Sequence, residues 1–420
     1  MSASFVIIGD GIAGSSAAET LRESDPDADI TVITDEGEPL YNRILIKEFA
    51  KGKLPEAPVA IHEETWYDDR DIDLRLNTLV TDVRPDAHEV QTHEGEVIEY
   101  DQLLVATGGT PIQLPVPHSD AKGIDHFWTF QDAREIKRHV EDADNAVIIG
   151  AGLLGIDLAA IAGHQDVENA WYIMRGNRWW RYALSLDGAE IMHEAMRDVG
   201  VELVLESGVE EFRVDDDGHV TETVDANGDV YPTDWASVAI GLNFNVELLQ
   251  GTDVVLEDGI WVDETMRTDE ADIYAAGDIT QFQDPVIGTR AQNGSWGSAK
   301  EQGTVAARAM LEDNGQDGTA EPFRWVSSYS ITHFDFPFLS FGQPTMGDDD
   351  AERKYSDTEW RRLTFQDGQL IGGVLIGDLS QQSKYKKLIL EEAQVADQKD
   401  VLLQETFELD ELDLADPIEQ

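Results

Sequence analysis

The chain has 420 residues, with 85 acidic side chains against 30 basic ones and a net charge of −55 at pH 7. A surface of that sign repels nucleic acid and anionic lipid, and at roughly 150 residues per domain the length predicts two to four domains. Cysteine is absent, which removes disulfide frameworks, thiolate nucleophiles, redox CxxC pairs and Cys-ligated clusters.

Carboxylates at this density repel one another unless salt screens them, and at about 1 M salt the Debye length shrinks to about 3 Å. The composition therefore reads as halophilic, of the haloarchaeal kind. The N-terminus runs into a glycine motif with no basic segment before it, which predicts a cytoplasmic chain without a secretory leader. The most apolar stretch, 146–163, is interrupted by Asp157 and is too short to span a membrane.

In chain order, the apolar run 5–8 predicts a strand that ends in Gly9, Gly11 and Gly14, followed by a helix over 15–22 and a second strand over 30–33. In a GxGxxG turn the first glycine makes the bend, the second lets backbone approach a pyrophosphate, and the third lets helix and strand pack closely. The helix N-terminus then offers free N–H groups to the phosphates. Asp35, with Glu36 beside it, follows at about 20 residues, where a carboxylate takes ribose hydroxyls. Polar strand-like segments fill 73–99, and a hydrophobic strand then ends in glycine at 100–109.

A second unit opens with the strand 146–149, continues through Gly150, Gly152 and Gly155, and reaches a strand at 171–174. Met174 stands where the carboxylate would be, and Arg175 and Arg178 follow. A guanidinium there suits a 2′-phosphate, so NADPH is favoured over NADH. Strands at 200–205 and 236–241 come next, and then a strand that ends in Ala-Ala-Gly-Asp278. Residues 312–321 read as a linker, 363–376 as β structure, and 391–420 as a tail, helical at first and frayed at its end. The spacings of His88, His93, His164 and His193 fit no metal-ligand pair, and no metal site is expected. Phe334, Phe336 and Phe338 read as core or dimer contact, and 348–350 as a solvated turn.

Five ordered motifs carry a resemblance over most of 4–310: GDGIAG (9–14), LLVATGGTP (103–111), VIIGAGLLGIDLAA (147–160), residues 234–241, and GIWVDETMRTDEADIYAAGD (259–278). Together they resemble the two-dinucleotide-binding-domain flavoproteins of the FAD-dependent pyridine nucleotide-disulfide oxidoreductase superfamily. Tyr41, Arg43 and Lys47, with the segment 296–303, look like the ferredoxin/rubredoxin reductase and nitrite reductase flavin-subunit branch. Residues 363–378 are similar to the C-terminal domain of that branch.

The resemblance implies an α/β fold with two Rossmann-like domains and a C-terminal α+β domain. FAD would take 1–118 and 245–315, NAD(P)H the inserted 119–244, and a C-terminal interface domain 320–420, a possible homodimer contact. By position, Gly9, Gly11 and Gly14 would hold the FAD pyrophosphate, Asp35 or Glu36 the ribose, and Val80 the adenine through its backbone. Arg43 and Lys47 would contact the isoalloxazine side, Thr107 and Gly108 the crossing between domains, Asp278 the ribityl chain, and Trp296 the pyrimidine end. Gly150, Gly152 and Gly155 would hold the nicotinamide cofactor. The Glu usual after the second glycine motif is Asp157 here, one methylene shorter, and the usual Pro-Asn after Ile240 reads Asn243-Phe244-Asn245.

The implied activity is hydride transfer from NAD(P)H to FAD, with electrons passed to an external acceptor such as a ferredoxin, a rubredoxin or a nitrite-reductase partner. Lys47 and Asp157 are the catalytic candidates. Without cysteine the chain is not a disulfide reductase. An oxidase or diaphorase using O₂ or quinones, and a non-catalytic flavin-bearing interaction subunit, are the alternatives.

Overall fold

The computed structural model describes residues 2–165, 167–252, 254–256, 259–284, 287–316 and 318–414. The chain folds as two compact units, and each is assembled from three separate segments. Among the described residues, no helix is long and apolar enough to cross a membrane.

The first unit comprises Met1–Asn42, Ala57–Thr110 and Asn243–Ser327. Its centre is a parallel sheet in the order Ile273–Ala275, Gln102–Val105, Ser4–Ile8, Asp29–Ile33, Ile72–Arg75. Phe5, Val6, Ile7 and Ile8 are all buried, as expected where a parallel strand is covered on both faces and alternation disappears. Helix Ile12–Ser24 packs on helix Trp296–Asp313. The approach is so close that a Cβ on Gly303 would strike the Ala13 carbonyl. The unit also holds antiparallel Val80–Arg84, Glu89–Thr92 and Val97–Glu99, and a four-stranded sheet that contains Gly259–Val262 and Thr280–Gln283.

The second unit comprises Arg43–Glu56, Pro111–Leu242 and Ser328–Gln420. Its parallel sheet runs Val201–Leu205, Asn169–Met174, Asn145–Ile149, Trp235–Val238, Ile124–His126. Helix Phe130–Glu141 starts with a capping box: Thr129 accepts from the Asp132 N–H at 3.1 Å, and Asp132 accepts from the Thr129 N–H at 2.7 Å. A C-terminal antiparallel sheet follows in the order Ser328–Ile331, Phe338–Gly342, Gln369–Ile376, Trp360–Gln366, Asp349–Lys354, with helix Gln382–Leu390. Phe338 is core, edge-on to Trp179 at 5.5 Å.

Two local expectations need correction. Asp349 and Asp350 do not form a turn; they begin an edge strand and pair with Lys399 and Arg362 respectively. The tail does not open as one continuous helix either. Helix Gln382–Leu390 ends before it, and among the described residues the tail holds short helical pieces: the 3-10 helix Ala396–Gln398, the α-helix Lys399–Leu402 and the 3-10 helix Leu409–Glu411. Leu402, Leu403 and Phe407 are buried, and buried Arg361 donates to the Gln404 and Glu405 carbonyls, so tertiary anchoring sets the path. Residues 415–420 lie outside the described residues.

Candidate functional site

The turn after Ser4–Ile8 separates what the fold demands from what a ligand would demand. Gly9 has φ +108°, and a Cβ there would strike the Ala106 carbonyl; one on Gly14 would strike the Gly9 carbonyl. A Cβ on Gly11 meets nothing within 4 Å. The protein itself therefore needs the first and third glycines. The second leaves open space at the N-terminus of Ile12–Ser24, whose N-cap Gly11 has no side chain to cap it. That opening fits a dinucleotide pyrophosphate.

Of the two acids after Asp29–Ile33, Asp35 is exposed, whereas Glu36 accepts the Tyr41 hydroxyl at 2.6 Å and acts electrostatically on Asp10. Asp10 lies between the first two glycines, 8% exposed, with the Tyr67 hydroxyl 2.8 Å from each carboxylate oxygen. Burial pushes its carboxyl up to about 7, against the downward pull of the Tyr67 and Leu40 backbone hydrogen bonds, while Glu36 adds to the rise.

Local hydrogen bonds brace several other predicted residues of this unit. The Asp278 carboxylate lies beside Gly294, and the Asp278 carbonyl accepts from Gln292 at 2.6 Å. Buried Gln302 accepts from the Gly277 N–H and the Thr280 hydroxyl, which fixes the turn that holds Asp278. Trp296 is half-buried at the start of its helix, behind the N-cap Ser295. The Asn243-Phe244-Asn245 departure has a local use: the Asn245 amide donates to the Thr107 carbonyl at 3.1 Å, and its backbone N–H donates to the Gly108 carbonyl at 3.0 Å. Val80 is buried in the strand pair with Thr92.

The second glycine turn repeats the logic. Gly150 has φ +118°, a Cβ on it would strike the Ala239 carbonyl, and one on Gly155 would strike the Gly150 carbonyl and the Tyr172 hydroxyl. Gly152 again faces open space and is the uncapped N-cap of Leu153–His164. Met174 is buried and Arg175 is exposed. The Arg178 guanidinium is spent inside its own loop, on the Leu184 and Arg181 carbonyls and the Asn177 side chain. Arg43 also binds backbone, donating to the Trp128 carbonyl at 2.8 Å and lying over the Trp128 ring.

Lys47 and Asp157 do come together, with Nζ 3.6 Å from Oδ1. Asp157 is 1% exposed and has two more partners: the Tyr329 hydroxyl on Oδ2 and the His333 ring on Oδ1. Burial alone would raise this carboxyl, but the His333 bond, the Lys47 and His333 charges and the Tyr329 bond hold it below the usual range. Sequence reasoning missed Tyr329, His333, Lys51 and Tyr67. No spacing rule links residues that three distant segments bring together. Of the predicted histidines, His193 is buried and accepts the Trp179 N–H at 3.0 Å, a structural use.

Two parallel sheets, each opening through a strand–glycine-turn–helix with an empty second-glycine position, define a protein of two dinucleotide-binding folds. The model of the pyridine nucleotide-disulphide oxidoreductases matches residues 3–303, and that of the rubredoxin NAD+ reductase C-terminal domain matches 330–393. The chain belongs to the pyridine nucleotide-disulphide oxidoreductase family.

The anthranilate 1,2-dioxygenase system ferredoxin–NAD(+) reductase component of Burkholderia cepacia is 31% identical over 352 residues, which cover 83% of this chain and 85% of that protein. NADH-rubredoxin oxidoreductase of Clostridium acetobutylicum is 27% identical over 395 residues, 92% and 94% of the two chains. The crystal structure of a ferredoxin reductase from Rhodopseudomonas palustris shares the fold, with a TM-score of 0.87 at 21% identity over 97% of this chain and 99% of that one. The chain is thus an FAD-dependent NAD(P)H oxidoreductase, and with no cysteine it is not a disulfide reductase.

Proposed function

We propose that this reductase passes the electron pair of NAD(P)H to a small one-electron redox protein of the ferredoxin or rubredoxin type. The observation that carries the reading is two open glycine turns on a chain without cysteine. Two dinucleotides have seats and no thiol takes the pair, so the acceptor is a separate molecule. The names of the relatives above, a ferredoxin reductase component and a rubredoxin oxidoreductase, support that choice of acceptor. When bound, the flavin supplies the conversion of a hydride into single electrons.

The residues position and tune. Gly9, Gly11 and Gly14 admit the FAD pyrophosphate to the helix N-terminus, Glu36 takes the ribose hydroxyls, and Asp278 takes the ribityl chain. Gly150, Gly152 and Gly155 do the same for NAD(P)H. Lys47 and Asp157, paired and withdrawn from water, remain the catalytic candidates. NADPH is the favoured donor, and Arg175 is the residue that answers its 2′-phosphate, since the Arg178 guanidinium is already engaged. A cytoplasmic setting fits a chain that draws on NAD(P)H.

The test compares acceptors under NADPH and NADH in molar KCl. Ferredoxin or rubredoxin reduction at least ten times faster than O₂ consumption is expected, with NADPH ahead and Arg175→Ala erasing its lead. O₂ uptake that outpaces both proteins would make the chain an oxidase. Equal rates with NADH, unchanged in Arg175→Ala, would remove the donor preference.

A further inference from the structure

The second glycine turn is held from outside its own helix. The loop that follows strand Asn169–Met174 takes two consecutive carbonyls of the turn. The Trp180 N–H donates to the Ala151 carbonyl at 3.2 Å, and the Trp179 indole Nε1–H donates to the Gly152 carbonyl at 3.1 Å. Trp179 is fully buried, and its backbone N–H donates to the His193 ring, on helix Leu186–Asp198, at 3.0 Å. Phe338, at the start of a C-terminal strand, lies edge-on to Trp179 at 5.5 Å and 5.9 Å from the Trp180 ring. The first residues of the loop are tied as well: the Met174 and Gly176 carbonyls accept from the Ser207 and Glu206 N–H groups at 3.1 and 3.0 Å.

The consequence follows from peptide planarity. In a trans peptide the carbonyl and the N–H point in opposite directions. A loop that takes the Ala151 and Gly152 carbonyls therefore turns the N–H groups of Gly152 and Leu153 away from itself. Those two groups stand at the N-terminus of helix Leu153–His164, where N–H groups have no intrahelical partner and a Cβ on Gly152 meets open space. A buried indole takes an acceptor in any core. Two observations argue for more than that here. The acceptors are neighbouring carbonyls of one turn, and Trp180, which reaches the first of them, holds φ +44°, a left-handed backbone that a bulky side chain rarely adopts.

We propose that Trp179 is a positioning residue: with the Trp180 backbone it pins the loop 175–184 to the second glycine turn and holds the Gly152 and Leu153 N–H groups toward the pyrophosphate of NAD(P)H. The inference rests on the proposed reaction, in which this turn seats the nicotinamide cofactor. One anchor then sets two parts of the same site, since the pinned loop also carries Arg175, assigned above to the 2′-phosphate. Phe338 makes the C-terminal sheet a support of that anchor. Without the indole donor the Gly152 carbonyl loses its partner in the loop, and the nucleotide itself has to order the seat, which takes free energy from binding.

The experiment uses the FAD-loaded protein in molar KCl and ADP-ribose, which carries the pyrophosphate but neither the nicotinamide nor a 2′-phosphate. Trp179→Phe keeps an aromatic ring and removes the donor. Its Kd for ADP-ribose, measured by calorimetric titration, is expected to rise about three- to tenfold, the loss of one neutral hydrogen bond. The same factor should appear in the NADPH concentration that half-saturates flavin bleaching rather than in the limiting rate. FAD content should stay at the parent's level. A tryptophan that serves packing alone would lower Tm on substitution and leave this Kd unmoved.

A Phe variant with the parent's Kd contradicts the inference while leaving the reductase reading intact. A parent that binds ADP-ribose but is bleached by neither donor contradicts the reductase reading and leaves the positioning role standing. A parent that binds no ADP-ribose contradicts both. If Trp179→Phe does not fold, a crystal structure of the parent with ADP-ribose replaces it. Pyrophosphate oxygens on the Gly152 and Leu153 N–H groups, with the indole still on the Gly152 carbonyl, are the expected result. A pyrophosphate seated elsewhere, or a Gly152 carbonyl turned away from the indole, overturns the proposal.

Discussion

Asp10 shows how much one side chain in a glycine turn can matter. Its carboxyl, ordinarily near 3.8, is pushed up to about 7 by burial. Below about pH 4 the folded and unfolded chains both hold this proton. As pH rises toward 7 the unfolded chain releases it and the folded chain keeps it, so native stability falls; above 7 the loss levels off. At 1.36 kcal/mol per unit the penalty reaches up to about 4 kcal/mol. Asp10→Asn is therefore expected to stabilise the FAD-free protein in denaturant titrations at pH 8 and to change nothing at pH 4. Its flavin retention should also stay flat above pH 7, where the parent, with a charge beside the pyrophosphate seat, declines. An equal effect at both pH values would show that Asp10 does not titrate in this range. Nothing in the sequence marks Asp10, one of 85 acids, because its state depends on burial that only the folded chain provides. The glycine turns were legible by spacing. That Tyr41 holds Glu36, while Asp35 is exposed, was not.

At the scale of elements, the glycine turn allows two substitutions to be set against each other. Gly14→Ala drives a Cβ into the Gly9 carbonyl and is expected to cost about 1–3 kcal/mol or more in the FAD-free protein. Gly11→Ala meets open space at φ −72°; it should change FAD-free stability by about 1 kcal/mol or less and weaken FAD binding at least tenfold. If Gly11→Ala binds FAD normally, the space above the helix is not the pyrophosphate seat. The parallel strands were legible because each is a continuous apolar run between glycine and polar signals. Strand Asp349–Lys354 was not, since DDAERK has no alternation and becomes a strand only through its pairing with Trp360–Gln366. The tail was misread for a related reason: its weak helical pattern gives way to burial of Leu402, Leu403 and Phe407.

For the molecule as a whole, a charge of −55 is the dominant global fact. The fold class followed from the ordered motifs through the family resemblance they carry. The C-terminal contribution to the Asp157 cluster did not, because it depends on how the segment after residue 328 folds back. Screening should control stability: between about 0.1 and about 3 M KCl, Tm is expected to rise by roughly 10 °C or more, several kcal/mol at about 2–4 °C each. A flat Tm would leave the acidity without a salt-adaptive role. The central claim is that one chain seats FAD and NAD(P)H and moves a hydride between them without a cysteine. Anaerobic stopped-flow mixing of the FAD-loaded protein with excess NADPH or NADH in molar KCl tests it most directly. Complete bleaching of one flavin per chain, followed by return of its colour when ferredoxin or rubredoxin is added, is the predicted result. A flavin that stays oxidised with both donors, or a chain that takes up no FAD, would contradict it.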